Sequence, residues 1–357
     1  MLGVCSQLME DFMFKRFACA LSATIMAASA AHAGDVSGTG ATFPEPIYKD
    51  WAATYKAKSG SSVNYVGIGS GGGIKAIKAK TVDFGASDKP LTAADLNASD
   101  LYMFPTVIGG VAPIVNIPGV ASGQLHLTGP LLADIYMGAV KTWNDPRIVA
   151  LNKGVKLPNL PITVVHRSDG SGTTFLFTTY LALVSDVWKS KVGGNDSPPW
   201  PAGVGGKGNP GVSALVKQTT GSIGYVEYFF AKQNHETVAQ MQNASHHFLM
   251  PTAASFAAAA SGAKWTTTPG NAVLLLNQPG VNAWPISGAT FILVYKNQPD
   301  AAKGADILKF FDWAYKNGDA AAAAKDYVPL PAGVKAMVRR QWATQIKSGG
   351  KPVYVSK

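Results

Sequence analysis

Strand-like and helix-like segments alternate along most of this chain. Residues 46–58 predict an amphipathic helix that carries Tyr48 and Tyr55 on one face. Residues 63–68 follow with the β-branched and aromatic composition of a strand. The alternation continues to an amphipathic helix around residues 307–314, near the C-terminus. A chain organised in this way predicts an α/β architecture, in which helices cover the faces of a sheet.

Two adjacent glycines, Gly109 and Gly110, stand between residues 104–108 and 111–117, which both have the composition of strands. Glycine adopts backbone conformations that other residues avoid. The pair therefore predicts either a bend where the chain crosses between two lobes or an ordinary β-bulge, and the residues alone leave both open. The stretch 252–270, rich in Ala, Ser and Thr, is expected to lie at the periphery.

The first 33 residues have the organisation of a cleavable secretory signal. A short basic region precedes an Ala-rich apolar run, and residues 31–33 fit the small-x-small cleavage rule. We therefore expect an exported mature chain that begins at Gly34, whereas the apolar run is too short to favour a membrane anchor. Acidic residues before the basic pair leave Met1 and Met13 as alternative initiators.

Both cysteines, Cys5 and Cys19, lie in this leader, so the predicted mature chain has no disulfide and no cysteine-ligated metal. The sequence has a formal charge of +10. A basic protein attracts anions, whether phosphate-like solutes, acidic surfaces or nucleic acid. The lysines are scattered and no nucleic-acid motif is present, so a nucleic-acid partner is not expected.

Three extended segments end in small hydroxyl and glycine residues where a helix is predicted to begin. These junctions are Thr42-Phe43, residues 70–73 and residues 171–173. The first N–H groups of a helix are unpaired and lie at the positive end of its dipole, so each junction can bind an anion. A single junction of this kind is more often a simple helix cap. Three of them make the two interpretations about equal.

Arg167 directly follows the predicted strand 162–166 and precedes Asp169 by two residues. A guanidinium near a helix N-terminus is suited to bidentate contact with an oxyanion, and Asp169 is placed to orient it. The alternative is a surface ion pair of little energetic weight.

Residue patterns that support catalysis or metal binding are sparse. Ser171 is not surrounded by the G-x-S-x-G turn of a nucleophile. The adjacent His246 and His247 have no third metal ligand nearby in the sequence. The glycine-rich segment 203–208 lacks the spacing, and the Ser or Thr after Lys, that a nucleotide-binding loop requires. We therefore expect neither an enzyme nor a metal or other cofactor.

A series of motifs, found in order along the chain, resembles the periplasmic phosphate-binding proteins of phosphate-specific ABC transporters. The matching stretches are residues 40–44, 64–73, 82–88, 104–110, 167–173, 223–228, 284–286 and 310–315. The resemblance covers almost the whole predicted mature chain and weakens at residues 195–199 and 234–280.

The resemblance implies the two-lobed α/β fold of periplasmic binding proteins, with two crossing segments at a hinge. Lobe I would comprise residues 34–108 and 288–357, and lobe II residues 111–281. The implied function is high-affinity binding of inorganic phosphate in the cleft between the lobes, without a chemical step. The implied protein is a periplasmic monomer that delivers phosphate to the membrane permease subunits of an ABC importer.

The resemblance also implies a ligand set: Thr42, Phe43, Ser70, Asp88, Arg167, Ser171, Gly172 and Thr173. Phe43 and Gly172 would act through their backbone N–H groups, and Asp169 would pair with Arg167. Two rival functions stay open. One is a secreted hydrolase of phosphate esters with Ser171 as nucleophile, for which the sequence offers no base or metal cluster. The other is a binding protein for a different tetrahedral oxyanion, such as sulfate.

Overall fold

The computed structural model describes residues 35–356, so the predicted signal and its cleavage site at Gly34 lie outside the described residues. The strands are β1 Val36–Gly40, β2 Val63–Gly67, β3 Phe84–Ser87, β4 Leu101–Val115, β5 His126–Leu127, β6 Thr163–Arg167, β7 Val204–Gly206, β8 Ser222–Glu227, β9 Thr237–Val238, β10 Gln240–Gln242, β11 Phe248–Leu249, β12 Leu275–Leu276, β13 Ile286–Tyr295, β14 Val328–Pro329, β15 Lys347–Ser348 and β16 Lys351–Pro352.

The helices alternate with these strands, as the sequence predicted. They are α1 Glu45–Ser59, α2 Ser70–Lys78, α3 Ala93–Ala98, α4 Gly129–Tyr136, α5 Pro146–Leu151, α6 Gly172–Val184, α7 Asp186–Lys191, α8 Gly208–Gln218, α9 Tyr228–Gln233, α10 Ala253–Ala260, α11 Ala301–Asn317, α12 Asp319–Ala324 and α13 Ala332–Gln345, with a 3₁₀ turn at Pro269–Asn271. Within the described part of the chain, none of these helices has the length and apolarity to cross a membrane.

A mixed sheet runs through the molecule in the order β2-β1-β3-β13-β4-β8-β6-β7. Its longest strand, β4, is buried along its whole length. Residues 101–110 of β4 pair with β13, and residues 111–115 pair with β8. The chain therefore passes along β4 from one half of the sheet, β1 to β3 with β13, to the other half, β6 to β8.

Strand direction brings the loops of the two halves together. β1, β2 and β3 are parallel to one another, and β13 lies antiparallel to both β3 and β4, so β1 to β3 run in the direction of β4. β6, β7 and β8 are mutually parallel and run against β4. The carboxyl ends of both parallel groups therefore face the point where β4 passes from one half to the other. Ligand sites of open α/β sheets form at such ends.

Gly109 and Gly110 do not separate two strands, contrary to the expectation from the sequence. Residues 104–108 and 111–117 do not form two strands with a bend, because Gly109 and Gly110 lie inside one continuous strand. A Cβ atom at Gly109 would lie 2.8 Å from the ring of Phe43, and one at Gly110 would lie 2.1 Å from the ring of Phe256. Close aromatic packing therefore requires glycine here. Phe256 belongs to α10 and is fully buried, so the expectation that residues 252–270 are peripheral is wrong for this helix, whereas most of residues 261–270 are exposed.

Candidate functional site

The eight residues singled out from the sequence lie where the carboxyl ends of the two parallel groups meet. Thr42, Ser70 and Asp88 follow β1, β2 and β3 in one half of the sheet. Arg167 ends β6 in the other half, and residues 171–173 begin α6 directly after it. Every one of the eight is buried: Thr42, Phe43, Ser70, Asp88, Arg167, Ser171, Gly172 and Thr173.

The two halves touch each other at these residues. The N–H of Gly71 donates to the carbonyl of Gly170 across the junction at 2.8 Å. A Cβ atom at Gly172 would lie 2.6 Å from both the Cβ atom of Asp88 and the hydroxyl of Ser70. Since real Cβ atoms do not approach that closely, this contact between the halves requires a glycine at position 172.

Arg167 is held in one orientation by Asp169. The Nε of Arg167 donates to Oδ1 of Asp169 at 2.8 Å and its Nη2 donates to Oδ2 at 2.6 Å, which is the bidentate geometry of a strong pair. Its Nη1 points to the Thr173 hydroxyl at 3.5 Å. Burial alone would raise the pKa of Asp169, but the hydrogen bonds and charge of Arg167, with the N–H of Gly208, hold it below the usual value.

Two hydroxyls of the site accept hydrogen bonds from backbone N–H groups. Ser70 accepts from the N–H of Asp88 at 3.2 Å, and Ser171 accepts from the N–H of Thr174 at 3.0 Å. The second bond caps α6, as the simpler interpretation of this junction predicted. A hydroxyl that accepts an N–H still has its own hydrogen to donate. Capping and anion binding are therefore compatible for Ser171.

Asp88 is the carboxylate placed among these donors. It is 1% exposed, and within residues 35–356 neither of its carboxylate oxygens has a hydrogen-bond partner. Burial raises the pKa of Asp88 to about 7, and the nearby Thr290 hydroxyl, the charge of Arg167 and the nearby Ser70 hydroxyl only partly oppose this, since neither hydroxyl reaches hydrogen-bond geometry with the Asp88 oxygens. An array of donors with one carboxylate suits an oxyanion that carries a proton, because that proton can be donated to Asp88.

The sequence did not single out the loop that precedes α8. The N–H of Gly208 donates to Oδ1 of Asp169 at 2.9 Å. The next residue, Asn209, donates to the Thr42 hydroxyl from its backbone N–H at 3.2 Å and from Nδ2 at 3.0 Å. The segment 203–208 suggested only a nucleotide loop with the wrong spacing, and the match of Asn209 to the Thr42 hydroxyl cannot be seen in the sequence.

Tyr327 and Glu227, which were also not singled out from the sequence, form hydrogen-bond contacts that lead to the backbone carbonyl of Phe43. The Tyr327 hydroxyl lies 2.6 Å from the carbonyl oxygen of Phe43 and 3.0 Å from Oε2 of Glu227. Burial raises the pKa of Glu227 well above its usual range. A protonated Glu227 can donate to Tyr327 while Tyr327 donates to Phe43, so both contacts become hydrogen bonds.

The potential metal ligands of the described chain, including His166 beside Arg167, do not form a cluster. Across residues 35–356, the structure brings together no group of three or more His, Cys, Asp or Glu side chains that could hold a metal ion. His166, which precedes Arg167, stacks on Trp200 with ring centroids 4.6 Å apart. Burial lowers the pKa of His166, so its ring is neutral near pH 7. Its contacts are those of a packing residue.

Comparison with known proteins adds independent evidence. A PBP superfamily domain model matches residues 26–317. The phosphate-binding protein PstS of Pasteurella multocida (strain Pm70) is 50% identical over 322 residues, which cover 89% of this chain and 93% of that protein. The PstS of Haemophilus influenzae is 50% identical over 319 residues, covering 89% and 95%. A solved periplasmic phosphate-binding protein, PfluDING with bound phosphate, superposes with a TM-score of 0.69 at 25% identity, covering 90% of this chain and 98% of that chain.

Proposed function

Since this chain belongs to the PstS family of phosphate-binding proteins within the PBP superfamily, we propose that it holds phosphate at the buried residues where the two halves of its sheet meet. The chain binds inorganic phosphate as a transport protein and is not an enzyme. One observation carries the site assignment. The carboxyl ends of both parallel strand groups meet at a set of buried donors and at Asp88, whose two oxygens have no hydrogen-bond partner within residues 35–356.

The residues divide into donors and one acceptor. Phosphate oxygens accept hydrogen bonds from the Arg167 guanidinium, from the backbone N–H groups of Phe43 and Gly172, and from hydroxyls. The hydroxyl donors are Thr42, Ser70, Ser171 and Thr173. Asp88 accepts the hydrogen that phosphate retains near neutral pH, and this hydrogen bond offsets part of the repulsion between the two anions.

Two lobes closing on the ligand account for the burial of these groups. Lobe I is residues 34–108 and 288–357, and lobe II is residues 111–281. β4 carries the chain across where its pairing changes from β13 to β8, and the return lies near residues 282–287, where β13 begins. We place the protein in the periplasm as a monomer that passes phosphate to the permease subunits of an ABC importer.

Calorimetric titration of phosphate-stripped protein with phosphate and with sulfate tests the function. We expect tight binding of phosphate and little heat with sulfate. Release of chromophore from a chromogenic phosphate ester would instead support the hydrolase, and equal binding of both anions would support a general oxyanion-binding protein. Absence of phosphate binding would refute the proposal.

A further inference from the structure

Asn209 makes three hydrogen bonds, and two of them join the two halves of the molecule. It is fully buried at the start of α8, directly after β7. Its backbone N–H and its Nδ2 both donate to the hydroxyl of Thr42, which follows β1 in the other half. Its Oδ1 accepts the backbone N–H of Glu227 at 3.2 Å.

These contacts fix which end of the Asn209 amide faces Thr42. A backbone N–H can only donate, so the atom facing Glu227 must be Oδ1 and the atom facing Thr42 must be Nδ2. The Thr42 hydroxyl then has both lone pairs engaged by N–H donors. Its own hydrogen is left to donate to another group.

The same loop is tied to the cation of the site. The N–H of Gly208 donates to Asp169, which in turn holds the guanidinium of Arg167. A shift of the loop that carries Asn209 therefore affects Thr42 in one half and Arg167 in the other. Among the residues of this network, Asn209 is the one whose side chain donates directly from one half to the other.

We propose that Asn209 is a positioning residue, which links the closed halves and sets the Thr42 hydroxyl as a donor to the phosphate oxygens. This inference rests on the proposed function. Asn209 does not touch the ligand in this scheme. It acts through Thr42, so its contribution to affinity should exist only when the Thr42 hydroxyl is present.

Two substitutions at position 209 test whether the side chain of residue 209 must donate a hydrogen bond to the Thr42 hydroxyl. Asn209→Ala removes the Nδ2 donor and should weaken phosphate binding about tenfold, mainly through faster dissociation. Asn209→Asp places a carboxylate oxygen beside the Thr42 hydroxyl, which then donates to it instead of to phosphate. The Asp variant should therefore bind at least about tenfold more weakly than the Ala variant. Tighter binding by the Asp variant would overturn the inference.

A double-mutant cycle with Thr42 gives the readout that a purely structural role would not change. In a Thr42→Val background, which lacks the hydroxyl, Asn209→Ala should cost less than about twofold in affinity. In a Thr42→Ser background, which keeps the hydroxyl, it should cost as much as in the parent. Equal losses in the Val background and in the parent would show that Asn209 does not act through Thr42.

Stability is measured on the same full-length variants. Asn152 is a matched control, because it is also buried and its side chain makes three hydrogen bonds, to His126 and Ile148. Asn152→Ala should lower the unfolding temperature and leave phosphate affinity unchanged. If Asn209→Ala does not fold, Asn209→Ser takes its place in the cycle. If the parent does not bind phosphate, the proposed function is refuted. If the parent binds phosphate but the effects of the Thr42 and Asn209 substitutions are additive, only this inference is refuted.

Discussion

Both carboxylate oxygens of Asp169 accept hydrogen bonds from the Arg167 guanidinium, at 2.8 and 2.6 Å. The pair fixes the plane of the guanidinium, and the Arg167 side chain is only 1% exposed. A buried cation in a fixed orientation interacts with an anion more strongly than a solvated one, because little water screens it. Nη1, which does not contact Asp169, points toward the Thr173 hydroxyl.

Arg167→Ala should weaken phosphate binding by about 2–5 kcal/mol, because it removes a charged donor from a buried site. Arg167→Lys should restore only part of this loss, since an ammonium group cannot reproduce the fork that meets Asp169. Calorimetry with phosphate measures both variants. Parent-like affinity in Arg167→Ala would show that phosphate binds elsewhere.

Gly172→Ala tests the contact between the halves. The new Cβ atom would lie 2.6 Å from Asp88 and Ser70, so the two halves of the variant cannot approach each other as closely as in the parent. We expect phosphate affinity to fall by about 1–3 kcal/mol, the usual cost of inserting a methyl group into packed structure. Gly333→Ala in α13 is the matched control, because nothing lies within 4 Å of its Cβ position, and it should bind like the parent.

Closure predicts a change in overall dimensions. Phosphate should lower the radius of gyration measured by small-angle X-ray scattering, because the two lobes approach each other around it. Gly172→Ala should show a smaller decrease than the parent at saturating phosphate. An unchanged radius in the parent would contradict hinge closure without contradicting phosphate binding.

The helices that contact the core through one face were predictable from the sequence. Residues 46–58 gave the amphipathic pattern of a helix, and α1 spans Glu45–Ser59 with Tyr48, Trp51 and Tyr55 buried. The pattern is local, because aromatic residues three and four positions apart lie on the same helix face. The junctions around Ser70 and Ser171 were also predictable from a local signal, because small hydroxyl and glycine residues directly follow a strand-like segment there.

Other features depend on residues distant in the chain. Gly109 and Gly110 were interpreted as either a bend at a crossing between lobes or a β-bulge. The rings of Phe43 and Phe256, which leave no room for a side chain at these two positions, are not indicated by any local pattern. Asn209 meets Thr42 across 167 residues of sequence. A single Asn after a glycine-rich loop has many structural uses, so its role depends on how the two halves meet.

The pH dependence of stability should reveal the buried Glu227. Its pKa is raised by burial in the folded state, so between the unfolded value of 4.5 and the folded value the native protein binds the extra proton. The free energy of unfolding then falls as pH rises, by up to about 1.4 kcal/mol per pH unit. Glu227→Gln lacks this contribution. Denaturant unfolding of ligand-free protein from pH 5 to 8 should show the parent losing stability relative to the variant, and parallel curves would contradict the assignment.

Asp88 should give the site its preference for an anion that carries a proton. Phosphate near neutral pH can donate its hydrogen to the Asp88 carboxylate, whereas fully ionised sulfate would leave two acceptors facing each other. The alternative is that Asp88 only caps the turn at residues 89–91, although within the described residues neither of its oxygens accepts a hydrogen bond and the N–H of Lys89 donates to Ser87 Oγ at 3.1 Å. Asp88→Asn separates the two, since an amide can donate as well as accept. The variant should retain phosphate binding and lose part of its discrimination against sulfate.

The raised pKa of Asp88 adds a test with a defined direction. Its pKa is about 7, so the carboxyl group is mainly neutral at pH 6 and mainly charged at pH 8. A neutral carboxyl can donate to sulfate and a charged one repels it, so sulfate affinity of the parent should fall as pH rises through about 7. The amide introduced by Asp88→Asn does not titrate, so the sulfate affinity of this variant should stay flat over the same range. Competition calorimetry at pH 6, 7 and 8 measures both proteins, and sulfate affinity that changes equally in the two would mean that Asp88 does not select the ligand by its proton.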